Sequence, residues 1–222
     1  MARKLWKSDG DLFALAKREL FPAVVGDVMD TLGLRKQFLP PEIQPLRDDM
    51  VVIGRAMTVL EADCFDPKEA FGLMFEALDD LKENEVYVCT GASPTYALWG
   101  ELMSIRATKL GAVGAILDGY SRDTAGILEQ NFACFSRGRY AQDQAPRGKV
   151  IGYRCALEMN GVRIDPGDIL FGDVDGVCVI PKKAEKEVFT AAIEKARGEK
   201  DVRKALEAGM SATDAFRKFG IL

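Results

Sequence analysis

The sequence predicts an α/β fold, one domain around a mixed sheet with flanking helices, and three observations carry that prediction. Apolar runs alternate with helix-patterned segments between residues 86 and 135, the order expected of βαβ units and a largely parallel sheet. Short strands follow, joined by Asn160-Gly161, Pro166-Gly167 and Asp175-Gly176, pairs that signal hairpins and tight turns. The 222 residues are 48% hydrophobic, enough apolar material for one core, and no repeat, linker or low-complexity segment divides them.

Each element has its own signal. Asp11 to Leu20 and Val24 to Leu34 read as helices split by Phe21-Pro22, with Gly33 as the second stop, so residues 1–34 form an N-terminal helical segment. MVVIGRAMTVL, Met50 to Leu60, is β-rich, with Gly54 as a candidate bulge. Phe71, Met74, Phe75 and Leu78 mark a helical stripe within Lys68 to Lys82. Val86–Thr90 and Val113–Leu117 read as strands, Gly100–Leu110 as a helix, then a short helix after Asp123 and a strand near Phe132 to Phe135. Lys149–Arg154, Ala156–Val162, Asp168–Phe171 and Gly176–Ile180 are short strands. A long charged helix spans about 182–209, with a break expected at Gly198, and Ala212–Phe219 closes the series.

Composition excludes several functions. Thirty Lys and Arg against 34 Asp and Glu give a net charge of −4, and the cations are scattered, which argues against direct nucleic-acid binding. No run approaches the ~18 apolar residues of a membrane span, and MARKLWK lacks the apolar core of a signal peptide, so the expected location is cytoplasmic. Five unclustered cysteines read as reduced core thiols. The chain contains no histidine. Ser-His-Asp, Cys-His and His-ligated metal chemistry are therefore excluded, leaving carboxylates, Arg, Lys, Tyr, Cys or a hard metal ion.

Two stretches can carry such chemistry. In GAILDGYSRDTAGI, residues 114–127, a strand runs into Asp118, Arg122 and Asp123, where ligands of open α/β sheets gather. Asp118-Gly119 reads equally as a turn. Arg122-Asp123 reads either as a solvated ion pair or as a bidentate carboxylate holder beside a ligand for a hard cation. In PTYALWGELMS, a helix beginning after Gly100 avoids the ~1 kcal/mol cost of an interior glycine. It then places Glu101 in the first turn and leaves the amides of Leu102 and Met103 as unpaired donors. Glu101 compensates the helix dipole or, at the edge of a buried face containing Leu102 and Ile105, holds a water or metal. Asp173 and Asp175 read as a hairpin turn, and Arg137-Gly-Arg139-Tyr140 as a solvated segment.

Taken together, WGELMSIRATKLGAVGAILDGYSRD and IDPGDILFGDVDGVCVIP resemble the RraA-like family, which contains class II 4-hydroxy-4-methyl-2-oxoglutarate/4-carboxy-4-hydroxy-2-oxoadipate aldolases and regulators of ribonuclease E activity. The likeness runs from about Val25 to the C-terminus, through QFLPPEIQPL and ARGEKDVRKALEAGMSATDAF. Aldolase members carry an acidic residue, twenty intervening residues and Arg-Asp; Glu101, residues 102 to 121 and Arg122-Asp123 reproduce that spacing. The resemblance implies a three-layer fold of the swivelling-domain type and a lyase dependent on Mg²⁺ or Mn²⁺. That lyase would cleave a 4-hydroxy-2-oxo acid to pyruvate, with oxaloacetate decarboxylation alongside. It implies a homotrimer or dimer of trimers with sites between subunits; the lack of a long apolar run argues against a membrane partner. By position, Asp123 would ligate the metal and Arg122 would hold the 2-oxo acid. The Gly100–Met103 turn would bind its carboxylate through the Leu102 and Met103 amides, and Glu101 would position a water as acid or base. Glu199 would reach the metal from a neighbouring subunit, and Asp118 would stand behind the site as a turn or supporting partner. The alternative within the same family is a non-catalytic regulator that binds ribonuclease E. A methyltransferase label used for the family finds no support, since no glycine-rich strand-to-helix turn is present.

Overall fold

The computed structural model describes residues 5–221. Two helices come first, α1 (Asp9–Glu19) and α2 (Pro22–Thr31). Ser8 starts α1 through a capping box with Asp11, and Pro22, which needs no amide partner in a first turn, starts α2. The strands are β1 (Gln44–Pro45), β2 (Val52–Asp63), β3 (Phe71–Gly72), β4 (Glu85–Thr90), β5 (Ala97–Trp99), β6 (Gly114–Leu117), β7 (Tyr120–Ser121), β8 (Cys134–Ser136), β9 (Gly138–Arg139), β10 (Gly148–Tyr153), β11 (Leu157–Met159), β12 (Val162–Ile164), β13 (Ile169–Asp173) and β14 (Gly176–Ile180). Between them lie α3 (Met74–Asp79), α4 (Glu101–Lys109) and α5 (Thr124–Glu129), and after them α6 (Glu185–Glu207) and α7 (Ala212–Phe219).

The main sheet runs β1-β8-β6-β4-β2-β10-β3, with β13 also on β2 and β14 on β13. Its centre, β8-β6-β4-β2, is parallel, and β10 and β13 join β2 antiparallel. The predicted α/β class and mixed sheet are thus the observed ones. The sheet separates two apolar clusters. One lies under α3, α4 and α5 and contains Tyr87, Trp99, Ile116 and Phe135. The other binds α1, α2 and α6 to β13, β14 and Ile53. A small parallel sheet, β5-β7-β9, lies beside the first cluster and delivers the chain into α5.

Four local expectations fail for identifiable reasons. Gly54 is no bulge: it pairs in register with Leu170, and a Cβ there would lie 2.6 Å from the Asn84 carbonyl and 2.7 Å from Val113, so close packing excludes a side chain. The register shift of β2 falls opposite Val150–Gly152 instead. The helix expected from Lys68 is cut to α3 because Phe71 (φ 72°) and Gly72 (φ 53°) turn left-handed and pair with β10. Gly198 does not break α6, which passes through it as one helix of 23 residues. Finally, α4 buries Ser104 and Ala107, leaving Leu102 77% and Ile105 41% exposed. Among the described residues no helix is long and apolar enough to cross a membrane.

Candidate active site

Arg122 and Asp123 follow β7, whose position is fixed by its neighbours: Arg122 N–H donates to the Trp99 carbonyl (2.9 Å) and Tyr140 N–H to the Ser121 carbonyl (2.9 Å). Asp123 caps α5 in the left-handed region (φ 54°, ψ 38°). A non-glycine residue held there costs about 1–3 kcal/mol and persists where the surroundings enforce it, commonly at functional positions. Its carboxylate is pressed against the start of α4, since a Cβ on Gly100 would meet Asp123 Oδ2 at 2.7 Å. Gly100 is the N-cap of α4, as the sequence predicts, and the Leu102 and Met103 amides have no acceptor among the described residues. The Trp99 indole locks this corner by donating to Ser104 Oγ (2.8 Å), which donates to the Gly100 carbonyl (3.2 Å).

These elements enclose a cavity of about 260 Å³. Arg122, Asp123, Asp143, Gln144 and the Gly100 turn line it together with Phe71, Met74, Phe75, Leu78 and Leu98. Arg122 stands between two carboxylates, with Nε 3.6 Å from Asp123 and Nη1 3.3 Å from Asp143. Neither contact has hydrogen-bond geometry, and its side chain is 36% exposed.

Other predicted residues lie elsewhere. The Glu101 carboxyl packs over α5, where a Cβ on Gly126 would meet Oε2 at 2.6 Å, and it does not line the cavity. Asp118 accepts hydrogen bonds from Thr90 Oγ1 and Arg137 Nε, both at 2.6 Å, and so braces the ends of β4 and β6 from outside the cavity. Glu199 lies on α6, 3.9 Å from Lys195, on the helix that packs with α1, α2 and α7. Within one chain it does not join Arg122 and Asp123. Asp173 takes the Asp175 amide in the β13–β14 turn, as expected of a hairpin. All five cysteines are free and four are buried.

Sequence reasoning missed Asp143, Gln144 and Glu61. Glu61 is buried at the far end of β2. Its Oε2 accepts from Gln144 Nε2 (2.9 Å), while Oε1, Thr58 Oγ1 and the Tyr87 hydroxyl have no partner among the described residues. Burial pushes its carboxyl up to about 8, against a smaller opposing effect of the Gln144 hydrogen bond. Nothing in YAQDQAP marked Asp143 and Gln144, because only the return from β9 to β10 brings them beside Arg122. An acid amid the apolar residues of MVVIGRAMTVLEA was the one available sign of Glu61.

The residues fit a divalent metal only in a limited way. Asp123 supplies one hard oxygen donor, and no group of three His, Cys, Asp or Glu among the described residues is placed to hold an ion. That suits Mg²⁺, which commonly takes one or two carboxylates and fills its shell with water and substrate oxygens.

A mixed α/β chain with a cavity beyond the carboxyl ends of its parallel strands is the class that fold and site define. The family described as RraA-like (Aldolase/RraA) matches residues 22–179, and the chain belongs to it. "Putative 4-hydroxy-4-methyl-2-oxoglutarate aldolase" of Halalkalibacterium halodurans is 30% identical over 86% of this chain and 87% of its own length. "Protein DlpA" of Legionella pneumophila is 29% identical over 87% of this chain, which spans only 31% of that protein. The crystal structure of Streptomyces coelicolor RraAS2, described as an unusual member of the RNase ES inhibitor RraA protein family, superposes with a TM-score of 0.78 at 22% identity. That match covers 89% of this chain and 98% of the other, and shows a shared fold.

Proposed function

We propose that the chain is a divalent-metal-dependent class II lyase that cleaves a 4-hydroxy-2-oxo acid to pyruvate, with oxaloacetate decarboxylation as a side activity. The observation that supports it most is Arg122, a guanidinium held at ion-pair distance without hydrogen bonds, facing a helix start whose amides are unpaired. A cation so placed exchanges protein carboxylates for a substrate carboxylate at little cost.

In this reading Arg122 binds the 2-oxo acid end, and the Leu102 and Met103 amides fix the carboxylate at the positive end of α4. Asp123 holds Mg²⁺ or Mn²⁺, which supplies Lewis-acid polarisation of the 2-oxo group. Glu101 handles, through a water, the proton of the C4 hydroxyl. Asp118 keeps the ends of β4 and β6 in place behind the site. A homotrimer or dimer of trimers, with Glu199 of a neighbouring subunit reaching toward the metal, is part of the proposal; light scattering tests the assembly.

The deciding experiment is pyruvate release from oxaloacetate by the purified chain with Mg²⁺ and then with excess EDTA. Release that EDTA abolishes and Mg²⁺ restores is expected. No metal-dependent release, together with tight binding to ribonuclease E, would overturn the lyase in favour of a regulator.

A further inference from the structure

The cavity lining is mostly apolar and holds a single cation, and that composition reports on the ligand. Its charged groups are Arg122, Asp123 and Asp143. β3, α3 and β5 contribute Phe71, Met74, Phe75, Leu78 and Leu98 to the lining and no cation. Of the cations on neighbouring elements, Arg106 pairs with Asp79 (2.7 Å) and Lys149 with Glu69. Gln144, neutral, is the remaining polar side chain of the lining.

Charge balance sharpens this. One guanidinium and two carboxylates sum to −1, and a divalent cation on Asp123 brings the sum to +1. A single substrate carboxylate neutralises that. A second carboxylate would leave a net negative charge and would find no further cation in the lining to pair with. Apolar lining and size both suit a hydrocarbon substituent, because a cavity near 150 Å³ already admits benzene and about 260 Å³ is present here.

We propose that the ligand of this cavity is a monocarboxylic 2-oxo acid whose C4 carries an apolar group, aryl or branched alkyl, in contrast to the dicarboxylate in the name of the Halalkalibacterium relative. The proposal rests on the lyase reading only for what happens next. The C4 hydroxyl loses its proton, its oxygen electron pair forms the new carbonyl, and the C3–C4 pair passes to C3. Protonation at C3 then releases pyruvate beside an apolar aldehyde or ketone. No oxidant or further reactant is needed.

Two measurements on the full chain with Mg²⁺ test it. Pyruvate release is compared for 4-hydroxy-2-oxo-4-phenylbutanoate and 4-hydroxy-4-methyl-2-oxoglutarate, with kcat/KM expected to favour the first by at least about tenfold. Calorimetry then compares 2-oxo-4-phenylbutanoate with 2-oxoglutarate, neither of which has a C4 hydroxyl to cleave, and the first is expected to bind at least about tenfold more tightly. The exposed Phe75 offers a variant that can fold: Phe75→Arg places a cation in the lining and is expected to move the binding preference toward 2-oxoglutarate. If the phenyl acid binds more tightly while neither hydroxy acid is cleaved, the lyase reading fails and the ligand class stands. Equal or tighter binding of 2-oxoglutarate by the unaltered chain, or binding of neither acid, overturns the inference.

Discussion

Arg55 and Arg122 each stand between two acids on opposite sides of the same sheet, yet only one of them is closed. Arg55 donates to both oxygens of Asp9 (2.6 and 2.8 Å), to Glu185 and to the Gly167 carbonyl, joining α1 and α6 to β2 with its side chain 15% exposed. Arg122 makes only the two loose contacts with Asp123 and Asp143. The first arrangement spends every donor on the fold. The second leaves a planar fork of donors facing a cavity, and recognition of a carboxylate requires that. The two sides differ in the same sense elsewhere: among the described residues Glu61 Oε1 and the Tyr87 hydroxyl are buried without a partner, Glu61 bonded to the cavity residue Gln144 and Tyr87 within the cluster under α3, α4 and α5.

The sharpest way to break this comparison is to truncate both arginines. Arg122→Ala should lower kcat/KM for pyruvate release by about 100- to 1000-fold, the ~2.7–4 kcal/mol of one aimed charge-stabilising donor. Its unfolding free energy should stay within about 1 kcal/mol of the native chain, as for exposed ion pairs. Arg55→Ala should do the reverse, costing roughly 2–3 kcal/mol of stability because Asp9 and Glu185 lose their shared partner, a figure discounted from fully buried pairs for partial exposure. Urea unfolding beside steady-state kinetics reads both. Loss of stability in Arg122→Ala comparable to that of Arg55→Ala would make Arg122 a structural clamp.

A second difference is readable by pH. Glu61 has its carboxyl pushed up to about 8 from an ordinary 4.5 by burial. Between those values the folded chain holds a proton that the unfolded chain has released, so this group's contribution is fully present below pH 4.5 and is lost as pH rises toward 8. Between pH 5 and pH 7 the loss amounts to about 2 kcal/mol. Glu61→Gln stays neutral and should lack that loss, gaining on the native chain as pH rises from 5 to 8 in denaturant titrations. Parallel stability curves for the two proteins would show that Glu61 is ionised throughout.

The sequence made the scaffold legible where local signals agree with the fold. α4 starts directly after Gly100, its N-cap, because glycine is costly inside a helix, and α7 spans the expected Ala212–Phe219. It failed where tertiary packing decides. Nothing local at Gly198 shows that α6 continues through it, and the burial of α4 was misjudged because Leu102 and Ile105 suggest a buried stripe. Arg122 and Asp123, picked out by residue type and spacing, are brought to one cavity. Asp143, Gln144 and Glu61 were not picked out, since a site assembled by β9, β10 and the end of β2 has no spacing of its own.

The smallest expected effect on stability belongs to Gly126→Ala, and it isolates Glu101. Alanine inside α5 should gain about 0.5–1 kcal/mol of helix stability over glycine. The new methyl, however, would meet the Glu101 carboxyl, whose Oε2 lies 2.6 Å from the Cβ position, and that flexible side chain must swing away. Thermal unfolding should therefore hardly change. If Glu101 handles the C4 hydroxyl proton from its place over Gly126, turnover should fall at least about tenfold, the low end of what a displaced acid–base group costs, while binding of 2-oxo-4-phenylbutanoate stays as it was. Unchanged turnover in a folded Gly126→Ala protein would remove Glu101 from the chemistry and leave it the role of compensating the dipole of α4.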